Sequence, residues 1–305
     1  MTLRVCIPRP PEEPFLERLS ARLPSGVVIL TEDAPCDILV AGVPTREQLE
    51  RGPGAVVIPY AGVPSKTREL LRDFPAVALH NLHHNAAPTA ELAVALLLAA
   101  AKALVPLDRA LRRGDWRPRY ERRNELLLAG RAALVLGGGA VGTRVAEACR
   151  GLGMEVRCVR RRDGGGWRSL LREVHALILA LPLTRETEGI VGGEELSRLP
   201  PGAVLVNVGR GPLVDEEALY GALREGRIAA GLDVWYRYPD QPSDRADTAP
   251  ASFPFHDLDN VVLSPHRAGS CDGIEELRAE HLARLLGAAA GGEPMPNRVD
   301  VERGY

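Results

Sequence analysis

Apolar positions along the chain follow two periods. Leu3–Ile7, Ile38–Ala41, Ala55–Ile58 and Val77–Leu79 are apolar at consecutive positions, as expected of parallel strands buried on both faces. Between them, Phe15–Leu23 and Thr67–Arg72 repeat apolar residues at helical spacing. The pattern predicts a small α/β unit over about the first 85 residues. Thr89–Arg113 is long and rich in Ala and Leu, and predicts the longest helix, with Thr89 as its N-cap, bridging two domains.

A second alternation follows. Ala132–Leu136, Val156–Val159, Ala176–Leu179, Ala203–Val206, Ile228–Asp233 and Val261–Leu263 predict six strands with helices between them, a doubly wound sheet that takes ligands at the carboxyl ends of its strands. Gly273–Gly287 predicts a last helix that returns to the first domain. Asp163–Gly166 and Pro239–Pro254 are rich in Gly, Pro, Asp and Ser and are expected as loops.

Composition narrows the function classes. The 305 residues include 38 Lys+Arg and 40 Asp+Glu, a formal net charge of −2. That gives no electrostatic basis for nucleic acid or an anionic membrane, and neither partner is expected. The longest uncharged apolar run, Leu92–Ala101, is too short to span a bilayer. Residues 1–14 carry Arg4, Arg9, Glu12 and Glu13 and no apolar core, so no secretory leader is expected. Cys6, Cys36, Cys149, Cys158 and Cys271 are odd in number and form no C-x-x-C pair. They fit a reducing cytoplasm better than a disulfide framework or a zinc knuckle. His80, His83 and His84 crowd one short turn without a second ligand group at zinc spacing, so no metal is expected.

The strongest local motif lies in Ala132–Ala146, where strand, G-x-G-x-x-G and helix follow one another with glycines at 137, 139 and 142. Gly137 permits a tight turn, Gly139 lets the backbone approach a pyrophosphate, and Gly142 lets the helix pack on the strand. Ala140 and Val141 open the helix, whose free N–H groups favour a phosphate. The next strand, Val156–Val159, bears on the choice of dinucleotide. An NAD site places a carboxylate near its end for the ribose 2′-OH. Here Arg160, Arg161 and Arg162 stand there, about 23 residues or more past Gly137. Guanidinium groups suit a 2′-phosphate, so NADP is the expected cofactor. NAD remains possible through Asp163.

Four blocks in order then resemble the D-isomer-specific 2-hydroxyacid dehydrogenase family: Asn85–Leu92 (NAAPTAEL), Leu136–Gly142, Val206–Leu219 (VNVGRGPLVDEEAL) and Ser264–Gly269 (SPHRAG). The segments Pro182–Thr184 and Gly231–Trp235 fall between them at matching spacing. The resemblance covers nearly the whole length. It implies two doubly wound parallel-sheet domains, a Rossmann NAD(P)-binding domain (89–269) inserted in a flavodoxin-like substrate domain (1–88 and 270–305). It also implies reversible reduction of a small 2-keto acid to its D-2-hydroxy acid, in a homodimer held through the helix from Thr89 and the Arg112–Trp116 segment, with the active site in the cleft between the domains.

By the same resemblance, Arg210 binds the substrate carboxylate and polarises the carbonyl, a task its planar fork suits. His266 is the general acid, with an ordinary pKa of about 6.5 in the right range. Asp233 lies near the nicotinamide, and Pro182, Thr187, Val208 and Gly209 line the cofactor. Ala61, Gly62 and Val63 supply backbone N–H groups to the substrate, and Asn85 is a substrate-side residue. Asp215 is read instead as a helix N-cap followed by acids in the first turn.

One position departs from the family pattern. Its catalytic Glu belongs five residues after Asp233, where this chain has Tyr238. A carboxylate beside His stabilises imidazolium, and a neutral phenol does not. His266 is therefore expected to titrate below its relatives, unless Asp240 or Asp257 folds back to replace the Glu. The loop after Val63 is Pro64–Ser65, where relatives carry an aspartate. Two other readings stay open: a dinucleotide-sensing protein of the same fold with little catalysis, and a formate-type dehydrogenase that transfers hydride without a proton.

Overall fold

The computed structural model describes residues 2–11, 14–121 and 125–304, with Arg161 described by its backbone alone. The chain forms two compact units, residues 1–85 with 270–305 and residues 86–269. In the first, β1 (Leu3–Cys6), α1 (Pro14–Ser20), β2 (Val27–Leu30), β3 (Ile38–Val40), α2 (Arg46–Glu50), β4 (Ala55–Ile58), α3 (Ser65–Leu71) and β5 (Ala78–Asn81) follow in turn. The second holds α4 (Ala86–Ala101), α5 (Leu104–Arg112), β6 (Ala132–Leu136), α6 (Ala140–Gly151), β7 (Glu155–Val159), β8 (Val174–Leu179), α7 (Gly193–Arg198), β9 (Ala203–Asn207), α8 (Glu216–Arg224), β10 (Ile228–Leu232) and β11 (Val261–Leu263). The chain then returns to the first unit with α9 (Ile274–Ala290) and β12 (Arg298–Val299).

The consecutive apolar runs become central strands because each parity of side chain has its own cover. In β4, Ala55 and Val57 face a core with Phe15, Leu19, Leu282 and Leu286, while Val56 and Ile58 face one with Leu49 and Leu71. The second sheet repeats the arrangement. Leu134, Leu136, Leu177 and Leu179 pack on one side, and Ala133, Val135, Ala176 and Ile178 on the other with Leu96 and Leu97 of α4. Each such Val, Ile or Leu contributes about 1.5–3 kcal/mol relative to exposure.

The strand order in the first unit is β12-β5-β4-β3-β1-β2. Strands β1 to β5 are all parallel, in the flavodoxin-like order. Two of its elements lie outside the sequence expectation: β2, although Val27–Leu30 is an unbroken apolar run, and the two-residue β12, which pairs antiparallel with β5 and qualifies the expectation of a purely parallel sheet. The second sheet runs β11-β10-β9-β8-β6-β7, all parallel. Its strand order reverses at β6, which has β7 on one side and β8 on the other. Ligands of doubly wound sheets bind at the carboxyl ends beside such a reversal.

The expected helix Thr89–Arg113 is two helices. The first begins at Ala86, so Thr89 sits inside it rather than capping it. Pro88 is compatible with that start, because a proline's missing N–H costs nothing in the first turn. The helix ends at Ala101. Ala103 takes a left-handed φ of 49°, and α5 leaves at 67° to α4. Pro106 explains the break: in a continuous helix it could not donate to the Lys102 carbonyl and its ring would collide there. Instead, Lys102 Nζ donates to the Leu126 carbonyl at 2.8 Å.

Candidate active site

The glycine loop joins β6 to α6 at the sheet's reversal point. Gly137 has φ 113° and donates its N–H to the Val159 carbonyl at 3.0 Å. A Cβ there would strike the Ala180 carbonyl at the end of β8. A Cβ at Gly142 would strike the Gly137 carbonyl oxygen, so α6 starts hard against the turn. Gly139 is the N-cap of α6 and has no atom within 4 Å of where a Cβ would stand. Ala140 and Val141 begin the helix, whose first N–H groups lack intrahelical acceptors. An open cap, first-turn N–H groups and a helix dipole fit a pyrophosphate.

Arg160 follows β7. Its side chain lies over Gly138, with Nε 2.7 Å from where a Cβ would stand. Its N–H donates to Asp163 Oδ2 at 2.7 Å. Asp163, the alternative partner for a ribose hydroxyl, thus caps its own turn. The Arg161 side chain lies outside the described residues. After β8, Thr187 Oγ1 donates to the Pro182 carbonyl at 2.7 Å and accepts from the Thr184 N–H at 2.8 Å. Both expected cofactor-side residues are therefore parts of one rigid turn.

Arg210, Asp233 and His266 follow β9, β10 and β11, three neighbouring strands, at one edge of the sheet. Val208 is buried, with its N–H bonded to the Leu179 carbonyl at 3.1 Å. Gly209 accepts from Arg210 Nη1 at 2.7 Å and donates to Asn207 Oδ1 at 3.1 Å. Asn207 Nδ2 donates in turn to the Arg210 carbonyl at 2.9 Å. Asp233 is 1% exposed. Its Oδ1 accepts from Ser264 Oγ and from the Arg267 N–H (2.8 Å), and its Oδ2 from the Ala268 N–H (3.0 Å). These bonds bracket His266, which has a left-handed φ of 56°.

Tyr238 packs on His266 with ring centroids 5.4 Å apart at 54°. Its hydroxyl accepts the Trp235 N–H at 3.0 Å. Burial pushes the His266 pKa below its ordinary value, the Arg210 charge pushes it further down, and Asp233 pulls it partly back. The Tyr238 phenol is pushed up by burial, so it stays neutral. Asp257 faces His256 at 3.5 Å, and neither it nor Asp240 is among the groups that shift His266.

In the first unit, Ala61, Gly62 and Val63 follow β4, and Asn85 lies just after β5. Asn81, at the end of β5, donates from Nδ2 to the Ala61 carbonyl at 2.6 Å. Nearby, His84 is buried and pushed down to about 4, mainly by burial and then by Arg278. Among the described residues no group of three or more His, Cys, Asp or Glu is placed to hold a metal. Asp215 caps α8, accepting the Ala218 N–H at 2.8 Å.

Residues 94–268 match the profile of the D-isomer specific 2-hydroxyacid dehydrogenase NAD binding domain. The chain belongs to this family. It is 39% identical over 228 residues to a glyoxylate reductase of Korarchaeum cryptofilum, and 36% identical over 231 residues to one of Thermococcus onnurineus. Each match covers 70% of this chain and 66% of the relative, so it spans just under two thirds of those proteins. A crystal structure of a D-isomer specific 2-hydroxyacid dehydrogenase from Xanthobacter autotrophicus Py2, in complex with NADPH and MES, superposes with a TM-score of 0.78 at 27% identity. That superposition covers 99% of this chain and 100% of the other.

Two buried residues at this family site escaped sequence reading. Asn207 and Asn81 each end a strand and each hold a neighbouring loop. A buried amide closing an otherwise apolar strand is the available signal, since it needs partners that only loops can supply.

Proposed function

We propose that this chain is an NADP-dependent reductase of small 2-keto acids, such as glyoxylate or hydroxypyruvate, forming the D-2-hydroxy acid. The observation that carries the reading is the row of Arg210, Asp233 and His266 at the ends of three adjacent strands, on the sheet whose reversal point bears the glycine loop. The named relatives support the same substrate class. Reduced nicotinamide, when bound, supplies the hydride. Arg210 offers its fork to the substrate carboxylate and carbonyl oxygen. His266 gives a proton to the carbonyl oxygen as the hydride reaches carbon. In the oxidation direction the neutral imidazole takes that proton back. Ala61, Gly62, Val63 and Asn85 contribute to the substrate side.

The test is NADPH oxidation with a panel of 2-keto acids, followed against pH. Reduction needs imidazolium, and burial with Arg210 lowers the His266 pKa. The rate is therefore expected to fall as pH rises through a midpoint below about 6.5, the ordinary value. Tyr238→Glu should move that midpoint upward. A wild-type midpoint at or above 6.5 contradicts the assignment of Tyr238, and no turnover with any keto acid contradicts the function.

Arg160 over the glycine loop favours NADPH, because a guanidinium there meets a 2′-phosphate. Arg160→Asp should raise the KM for NADPH about 10–100-fold, the worth of a hydrogen bond to a charged group, while NADH is used equally or better. Unchanged preference between the two cofactors would refute the role.

The second unit exposes Leu104, Leu111, Trp116, Tyr120 and Leu127 within one stretch. Exposed apolar side chains suit an interface. We assign it to a second copy of the chain, an assignment that a sedimentation mass of a single 32.9 kDa chain would exclude.

A further inference from the structure

We propose that Asn207 and Asp233 are paired positioning residues, Asn207 for the Arg210 turn and Asp233 for the His266 turn, and that Asp233 is the carboxylate acting on His266 in a chain whose position 238 carries none. The inference rests on the reading of Arg210 as carboxylate anchor and His266 as acid. Leu232 and Asn207 are partners in the β9–β10 pairing, and the Asp233 N–H donates to the Asn207 carbonyl at 3.1 Å. The two side chains thus stand together at one edge, 2% and 1% exposed.

Neither polar group is free to do other work in full. Both ends of the Asn207 amide are bonded around residue 210, one to the Gly209 N–H and one to the Arg210 carbonyl. Asp233 takes three donors from residues 264, 267 and 268, on both sides of His266. A left-handed backbone at a residue with a side chain persists only where its neighbours over-determine it, and the Asp233 clamp does that at His266. The clamp fixes the backbone that carries the imidazole, which lies near enough to Arg210 to feel its charge.

The clamp also carries charge. The groups facing His266 are Arg210 from the turn after β9, Asp233 from the end of β10 and the Tyr238 phenol from the following loop. Arg210 opposes imidazolium and the phenol is neutral. Asp233 alone among them favours the protonated ring. A carboxylate thus still favours the protonated ring from behind its loop where position 238 supplies none.

The experiment uses the full chain and follows the His266 ring by NMR titration alongside kcat, KM and NADPH affinity. Asp233→Asn should lower the His266 titration midpoint and reduce kcat about 10–100-fold, as loss of a bond to a charged group does. Ser264→Ala, which removes one donor and leaves the charge, should reduce kcat less and leave the midpoint in place. Asn207→Ala should raise the KM for the keto acid while His266 titrates as before. Adding Tyr238→Glu to Asp233→Asn should restore the midpoint but not the full kcat. An unchanged midpoint in Asp233→Asn, or an unchanged KM in Asn207→Ala, overturns the proposal. If the wild type reduces no keto acid, the function fails, and the titrations still judge the Asp233 clamp.

Discussion

Arg210→Ala is expected to lower kcat/KM for glyoxylate by about 10²–10⁴-fold, with NADPH affinity kept within a few-fold. The variant is a clean one. Asn207 holds the turn through the Gly209 N–H and the Arg210 carbonyl, so truncation removes the guanidinium and its bond to the Gly209 carbonyl and leaves those two bonds in place. A bidentate pair with a carboxylate is both orienting and charge-assisted, and a thousandfold loss corresponds to about 4 kcal/mol of transition-state stabilisation. His266→Ala should fall in the same range, since a positioned general acid contributes about 10²–10⁴-fold, and it should also erase the pH limb below neutrality. Stopped-flow turnover beside cofactor titration separates the two effects. A rate within tenfold of wild type for either variant would remove that residue from the mechanism.

Among the described glycines with a clash, Gly142 is expected to tolerate an added methyl group least, and Gly142→Ala to be damaging. A Cβ at 142 runs into the Gly137 carbonyl, which is backbone on a turn already held by the Val159 carbonyl. Nothing there is the free end of a flexible side chain. The helix must tilt away, at a cost of about 1–3 kcal/mol for overpacking. That tilt withdraws the first-turn N–H groups of α6 from where a pyrophosphate would lie. NADPH binding should weaken at least about tenfold, and melting should come several degrees earlier, since a unit of this size loses about 2–4 °C per kcal/mol. Gly151→Ala is the matched control, because no atom lies within 4 Å of a Cβ there. If both variants bind NADPH alike by calorimetry, the close approach of α6 is not what shapes the loop.

The central strands of the second unit, β6, β8, β9 and β10, are legible in sequence because both faces are covered and the apolar runs are nearly unbroken. Helix boundaries were less so. Pro106 was visible in Thr89–Arg113 and decided the break at Ala103, but the stronger Ala/Leu pattern masked it. Short edge strands such as β12, two residues with one buried side chain, leave no periodic trace. At the site, the family resemblance places Tyr238 where a Glu belongs. What spacing could not give is that its hydroxyl turns to the Trp235 N–H while its ring lies on His266. Likewise, Asp233 reads in sequence as a cofactor-side residue, whereas its oxygens are engaged by the loop around His266. Such partners come from strands and turns some 30 residues distant, and no local pattern encodes them.

The split first unit has a consequence for biosynthesis. Its core joins Phe15 and Leu19 to Leu282, Leu285 and Leu286, so α1 leaves the ribosome well before the helix that closes over it. The inserted unit has every strand and helix of its own sheet in hand before that helix is translated. Domains tend to mature as units during synthesis. The order of completion is therefore inverted: the middle of the polypeptide consolidates first, and the amino-terminal sheet keeps one face uncovered until α9 arrives. During that interval the nascent chain leaves open an apolar surface that the finished unit buries, a surface of the kind that makes incomplete folds prone to aggregate.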